Sequence, residues 1–275
     1  MKYEIERMNP QVSVLMSVYN ASETLCAAIE SILNQTLADF EFIICDDAST
    51  DDSWKIIEMY SHKDKRIRTI KNEKNIGLGA SLNHCLAIAQ GEYIARQDAD
   101  DISTPERLKK TLQYLKEYEY PYVGCGVFVF DENGVWSKRL FPEDITKHII
   151  AQKNPFFHPT MLFKKEVLES VHGYRVVKAT WRTEDYDLVM RLAAKGIIGK
   201  NLQEYLYYVY EPIDAYLRHT LRTRMYEICV RYYGLKIMKS PFRDYIYLCK
   251  PLIMCFIPRK LLKIVKKTQW KLKGR

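Results

Sequence analysis

The sequence predicts an α/β fold: a doubly wound, mostly parallel sheet, an α+β half after it, and a helical C-terminal extension. Three observations carry that expectation. Apolar runs rich in β-branched residues alternate with helical-period segments up to about residue 117, as in a parallel sheet covered on both faces. Two strand-like runs then flank Asp131-Glu132-Asn133-Gly134, a hairpin signal. From 212 onward the pattern is helical, with breaks expected at Gly234, Pro241, Pro251 and Pro258. One domain over 1–210, with halves of about 1–117 and 118–210, and an extension over 211–275 are therefore expected.

Residues 12–18 (VSVLMSV) form the first strand, and Leu25, Cys26, Ile29, Ile32 and Leu33 lie at helical spacing behind Ser22 as a cap. Strands follow over 40–45 and 67–70, with a helix over 53–60 between them. Leu78, Leu82, Cys85, Leu86 and Ala89 share one face of the next helix, Gly91 sits where a C′ residue would, and 92–96 is a fourth strand. Thr104-Pro105 reads as an N-cap with proline at N1, opening a helix through Leu108, Leu112 and Leu115. Runs 122–130 and 135–139 are the hairpin strands, and 183–195 is a helix capped by Thr183 and stopped at Gly196.

Composition narrows the class. The 275 residues are 47% hydrophobic and 28% charged, enough to bury a core. The longest stretch free of charge, Met8 to Ser22, is too short and too polar for a spanning helix, and the acidic N-terminus is unlike a secretory leader, so a cytoplasmic protein is expected. Seven cysteines without a CxxC spacing suit buried thiols rather than disulfides or zinc. After Asp244 there are nine Lys and Arg and no acid; removing those nine from the net +8 leaves residues 1–244 at −1, so the basic character belongs to the tail.

Ligands of open α/β sheets sit beyond the carboxyl ends of the strands. Three polar clusters fall there: Ser17, Tyr19 and Asn20; Asp46 to Asp51; and Gln97 to Asp101. Asp46-Asp47 reads either as a helix cap or, because Asp51 and Ser53 can already cap, as a ligand for a donor such as a uracil imide N–H. Asp98, Asp100 and Asp101 read either as a solvated acidic turn or as oxygen ligands of Mg2+ or Mn2+. Glu184-Asp185 opens a helix, which first-turn carboxylates favour in any case. Asn75 to Gly79 contains neither GxGxxG nor a P-loop, so dinucleotide and P-loop sites are not expected. A nucleotidyltransferase would want a basic glycine-rich loop near the first strand, and none is present.

Together, SVYNASETLCAAIESILNQTLADFEFIICDDASTDDS, NIGLGASLNHCLAIAQGEYIARQDADDISTPERL, HPTMLFKK, GY and TEDYDLVMRLAAKG resemble bacterial glycosyltransferase family 2, the inverting enzymes of GT-A fold, over about residues 12–200. The resemblance implies transfer of a hexose from a UDP-sugar to a saccharide acceptor, carried on a polyprenyl diphosphate, in surface-polysaccharide assembly, with Mn2+ or Mg2+ as cofactor. It places Ser17, Tyr19 and Asp47 in the uridine pocket, with Gly77 as a further nucleotide-sugar contact, Asp98 near the ribose, Asp100 on the metal and Asp185 as catalytic base. With an ordinary pKa of about 3.9, such a base takes the hydroxyl proton only as the C–O bond forms. Glu184, Trp181 and His158 are candidate sugar or acceptor contacts, set against a plain core role for His158 and for the aromatics Tyr174, Trp136 and Trp181. Many relatives carry a Tyr-Arg pair after the last strand; Tyr207 to Glu211 lacks that arginine, which leaves the diphosphate there without an assigned partner. A binding or scaffold protein of the same fold without activity is the alternative.

Residues 259–273, placed at 100° per residue, gather Leu261, Leu262, Ile264, Val265 and Leu272 opposite the basic side chains. A helix of that kind either packs on the core or lies in an anionic membrane surface; the second is expected, with the protein peripheral on the inner face of the cell membrane, and no nucleic-acid partner is expected.

Overall fold

A computed structural model describes residues 9–212 and 220–256. Strands β1 (Val12–Val18), β2 (Phe40–Asp46), β3 (Ile67–Lys71) and β4 (Tyr93–Arg96) alternate with helices α1 (Leu25–Leu33), α2 (Ser53–Lys63) and α3 (Leu78–Ile88). They pair in parallel in the order β3-β2-β1-β4, with Val12 opposite both Phe40 and Tyr93. The order reverses at β1, and the crevice that such a switch point opens lies at its carboxyl end.

The second half continues the same sheet. A short β5 (Ile102–Ser103) and α4 (Arg107–Glu117) lead to β6 (Tyr122–Asp131) and β7 (Gly134–Arg139), joined by the expected hairpin with Gly134 at φ +108°. After α5 (Lys147–Gln152), β8 (Leu162–Lys164) inserts antiparallel between β4 and β6, and α6 (Lys165–Glu169) and α7 (Glu184–Ala194) precede β9 (Lys200–Tyr210). β9 pairs in parallel with β6 and antiparallel with β5, which completes a nine-stranded mixed sheet. The expected boundary near 117 falls between α4 and β6, and the sheet runs unbroken across it.

Alternation along the buried strands divides the core into two layers. Leu15, Ile43 and Cys45 face Leu82 of α3 and Leu188 and Leu192 of α7. Val14, Met16, Phe42 and Ile44 face Leu25 and Ile29 of α1, Ile57 of α2 and Leu108 and Leu112 of α4. Helices α8 (Leu221–Ile237) and α9 (Cys249–Phe256), with a 3-10 segment Phe242–Leu248 between them, close the first layer through Val230, Leu235 and Met238.

Several local expectations change. Ser22 does not cap α1; its N–H, like that of Ser53, is bound by the Asp51 carboxylate, so the residue serves the α2 entry instead. Gly91 is no helix terminator: α3 ends at Ile88, and a Cβ at Gly91 would stand 2.5 Å from the backbone nitrogen of Ser13, so the site demands close strand approach. Thr104 does not cap α4, which starts at Arg107; its hydroxyl donates to the Leu206 carbonyl and ties this loop to β9. Thr183 stands before α7 as expected, yet its hydroxyl goes back to the Ala179 carbonyl. Gly234 does not interrupt α8, because its missing side chain admits Met190 of α7, whose sulfur would be 2.1 Å from a Cβ there. The amphipathic 259–273 segment and the break at Pro258 lie outside the described residues.

Candidate active site

The carboxyl ends of β1 and β2 open into a cleft of about 530 Å3 lined by Ser17, Tyr19, Asp47, the loop from Asn75 to Ala80, Trp181, Arg182 and Glu184. A second depression, lined by Asp98, Asp100, Asp51 and Tyr210, shares Ser17 and Tyr19 with it. The two make one trough that runs from the acidic loop after β4 to the start of α7.

Asp47 shapes the middle of this trough. Only 2% exposed, it accepts from Asn72 Nδ2 and the Ile76 N–H through Oδ1, and from the Gly77 N–H at 2.8 Å through Oδ2. Three donors occupy three of its roughly four lone-pair positions, leaving one for a ligand. Asp51 meanwhile caps the α2 entry: burial raises its pKa, but hydrogen bonds from Ser53 and Ser22 outweigh that and hold it at about 2.

Gly77 has φ +88° and ψ 162°, a region essentially confined to glycine, and a Cβ there would stand 2.6 Å from Cζ3 of Trp181. The indole, 49% exposed, therefore lies directly on this turn.

At the end of β4, carboxylate oxygens of Asp98, Asp100 and Asp101 all lie within 4.8 Å of one another. Arg96, buried at the last position of the strand, holds Asp98 Oδ1 through Nη2 at 2.6 Å. The Asp98 N–H donates to the Tyr207 hydroxyl, and Asp101 Oδ1 accepts the Tyr210 N–H at 2.8 Å, so β9 braces the loop from behind. Burial, then the charges of Asp98 and Asp100, push Asp101 well above the ordinary carboxylate range. Such crowding of like charge, with oxygen ligands only, fits a hard divalent cation.

Across the trough, α7 begins with two further carboxylates. Glu184, 8% exposed, is raised to about 7 by burial and by the neighbouring charge of Asp185. Asp185 is raised by burial, against hydrogen bonds that include Asn154 Nδ2 to its Oδ2 at 2.9 Å. The base expected at an ordinary pKa is thus a stronger one. Arg96 pairs directly with Asp98, and its charge also opposes the upward shift of Glu184 and Asp185.

Ser17, Tyr19, Asp47, Gly77, Asp98, Asp100, Trp181 and Glu184 accordingly line one trough. His158 does not: it is buried, bonds the Tyr174 hydroxyl at 2.7 Å, and is driven well below its ordinary pKa by burial and then by Arg96. Tyr174 is spent on that contact, and Trp136 packs beside the hairpin core. Sequence reasoning missed Arg96, Asn154 and Arg182. A lone arginine ending an apolar strand was the available signal for Arg96; Asn154 and Arg182 had none.

The profile of Glycosyl transferase family 2 matches residues 13–171. Over 92% of both chains, the sequence is 44% identical to EpsE of Bacillus subtilis, a protein named as a glycosyltransferase. It is 31% identical, over 69% of this chain and 73% of the other, to the Escherichia coli UDP-Glc:alpha-D-GlcNAc-diphosphoundecaprenol beta-1,3-glucosyltransferase WfaP. Among solved structures, S. aureus TarS 1-349 in complex with UDP-GlcNAc superposes with TM-score 0.67 at 19% identity, covering 88% of this chain and 72% of that one. The mannosyltransferase PcManGT from Pyrobaculum calidifontis, with GDP-Man and Mn2+, gives 0.65 at 18%, covering 88% and 69%. At those identities both show a shared fold.

Proposed function

The chain belongs to glycosyltransferase family 2, and from that premise we propose that it moves a hexose from a UDP-sugar, with inversion, onto a saccharide carried by a polyprenyl diphosphate. It is a glycosyltransferase of bacterial polysaccharide biosynthesis. The observation that carries the finer reading is the placement of Asp98 and Asp100 along one part of the trough and of Glu184 along the other, with Asp185 next to Glu184 in the first turn of α7.

Uridine would lie among Ser17, Tyr19 and Asp47, where one acceptor position of Asp47 is left for an N–H donor. Asp100, with Asp98 beside it, would hold Mn2+ or Mg2+. A divalent ion there supplies charge neutralisation for the departing UDP. Asp185 then accepts the proton of the acceptor hydroxyl while that oxygen attacks the anomeric carbon and the bond to UDP breaks. One displacement inverts the centre. Glu184, protonated up to about pH 7, donates a hydrogen bond where a second carboxylate would repel the incoming oxygen. Trp181 offers an aromatic face to the sugar.

No helix among the described residues is long and apolar enough to cross a membrane. Peripheral attachment is proposed from the basic tail together with an apolar ridge just before it, where Phe242 is 91% exposed and Ile246 and Ile253 are exposed.

A UDP-sugar panel assayed for UDP release, with and without EDTA, tests the reading. One sugar should turn over with Mn2+ or Mg2+, and Asp100→Ala should abolish this while the fold survives. Full turnover in excess EDTA would sink the metal assignment, and no UDP release with any sugar would leave a binding protein.

A further inference from the structure

Beyond the trough lies a third depression, of about 650 Å3, between the 178–182 segment and the first turns of α8. Lys178, Arg182 and Arg222 line it, with Trp181, Tyr226 and two threonines, and no carboxylate is among its described lining residues. It shares Trp181 and Arg182 with the donor cleft and no residue with the Asp98–Asp100 depression. The three depressions therefore run in sequence: acidic loop, central cleft, basic groove. Arg182 is held at φ +63°, a left-handed conformation that a non-glycine residue adopts at a cost, at the wall between cleft and groove.

We propose that this groove holds the diphosphate of the acceptor and that the exposed apolar stripe of α8 receives the first isoprene units of its lipid. The inference rests on the proposed transfer to a lipid-linked saccharide and assigns it a site. Three cations with no acid among the described lining residues favour a polyanion over a neutral saccharide, and guanidinium groups match phosphate oxygens in pairs. The donor diphosphate belongs at the other end of the trough, beside Asp100, so the groove's charge is left for a second anion. Its shared wall, with Arg182 two positions before Glu184 in the chain, suits a saccharide that reaches from the groove into the cleft.

Direction comes from α8. Leu221, Met225 and Tyr232 are exposed at helical spacing along one side, leading away from the groove. Eleven residues at 1.5 Å each span about 16 Å. There Tyr232 meets Tyr245, whose ring stands 6.3 Å from that of Phe242 on the apolar ridge. A lipid chain leaving the groove thus has an apolar path toward the surface proposed to meet the membrane.

Equilibrium titration of the full chain, first saturated with UDP, tests this with geranyl diphosphate, inorganic diphosphate and geraniol as probes. Wild type should bind geranyl diphosphate without releasing UDP and should ignore geraniol. The double variant Lys178→Ala with Arg222→Ala should weaken geranyl diphosphate at least about tenfold at unchanged UDP affinity, and Arg222→Lys should recover part of it. Leu221→Ser with Met225→Ser should weaken geranyl diphosphate and leave inorganic diphosphate alone, which separates lipid recognition from a site for free diphosphate. Displacement of geranyl diphosphate by UDP, or equal affinity in the double charge variant, would overturn the assignment. Failure of UDP itself to bind, read in its own titration, would strike the proposed function instead.

Discussion

Asn154 donates its side-chain amide to Oδ2 of Asp185 at 2.9 Å, while its own carbonyl oxygen accepts the Phe156 N–H at 3.2 Å. The loop before the 158–160 turn thereby fixes the rotamer of the proposed base. It also opposes the effect of burial, since that bond favours the ionised carboxylate. Asp185→Asn should keep UDP-sugar affinity near wild type and lower turnover by roughly 10² or more. Asn154→Ala should cut turnover less, by about tenfold, and move the acidic limb of the kcat profile to higher pH, because an acid that has lost a partner of its charged form holds its proton longer. A drop with an unmoved limb would make Asn154 merely structural.

Glu184 predicts a stability effect of definite sign. Its pKa rises from 4.5 in the unfolded chain to about 7 in the fold, through burial and then the charge of Asp185. The native state therefore binds the extra proton between those values, and stability falls as pH rises through that window. Glu184→Gln, which cannot ionise, should be more stable than wild type at pH 8 by about 3 kcal/mol and should lose that advantage below about pH 4.5. Denaturant unfolding at both pH values reads it, and a variant equally stable at both would show that Glu184 ionises without penalty.

Why the strands and the acidic rim were legible while Asn154 and Arg182 were not follows from the range of the forces involved. Runs such as VSVLMSV declare buried strands because hydrophobic alternation is local, and the Asp98–Asp101 cluster declares itself because three acids in four residues need a reason. Asn154 and Arg182 act on residues that reach them only through the fold. Gly91 and Gly234 looked like helix punctuation because φ freedom is glycine's local signature; their partners, Ser13 and Met190, are long-range, and only packing reveals that missing volume is what counts. Asp47 was legible as a site residue, whereas its three bonds to Asn72, Ile76 and Gly77 were not.

The turn that Asp47 holds yields a third prediction. Gly77→Ala meets two separate penalties: a backbone region costing about 1–3 kcal/mol for a residue with a Cβ, and a clash with Trp181. Trp181→Ala removes the second but not the first. The double variant should therefore be less damaged than the two single effects added together, with the difference appearing in thermal stability, while UDP-sugar affinity should fall in all three. Strict additivity would mean that the indole moves away at no cost.

The last prediction concerns attachment. Residues 1–244 sum to −1, so the main attraction to anionic lipid is assigned to the region after Asp244, which carries nine positive charges and no acid. Deleting 258–275 removes eight of them and should abolish salt-sensitive adhesion to anionic vesicles, since exposed lysines are screened beyond a Debye length of about 8 Å at physiological ionic strength. Phe242, Ile246 and Ile253 precede the deletion and stay exposed, so a weak adhesion that salt does not disturb should survive it. Replacing those three by Ser in the truncated chain should remove this remainder and spare UDP binding, because the trough is lined by other residues. Flotation of the truncated chain with anionic vesicles in low salt, as strongly as wild type, would mean that the tail is not the anchor. Precipitation of the truncated chain would instead identify the 259–273 apolar face as a packing surface for the catalytic domain.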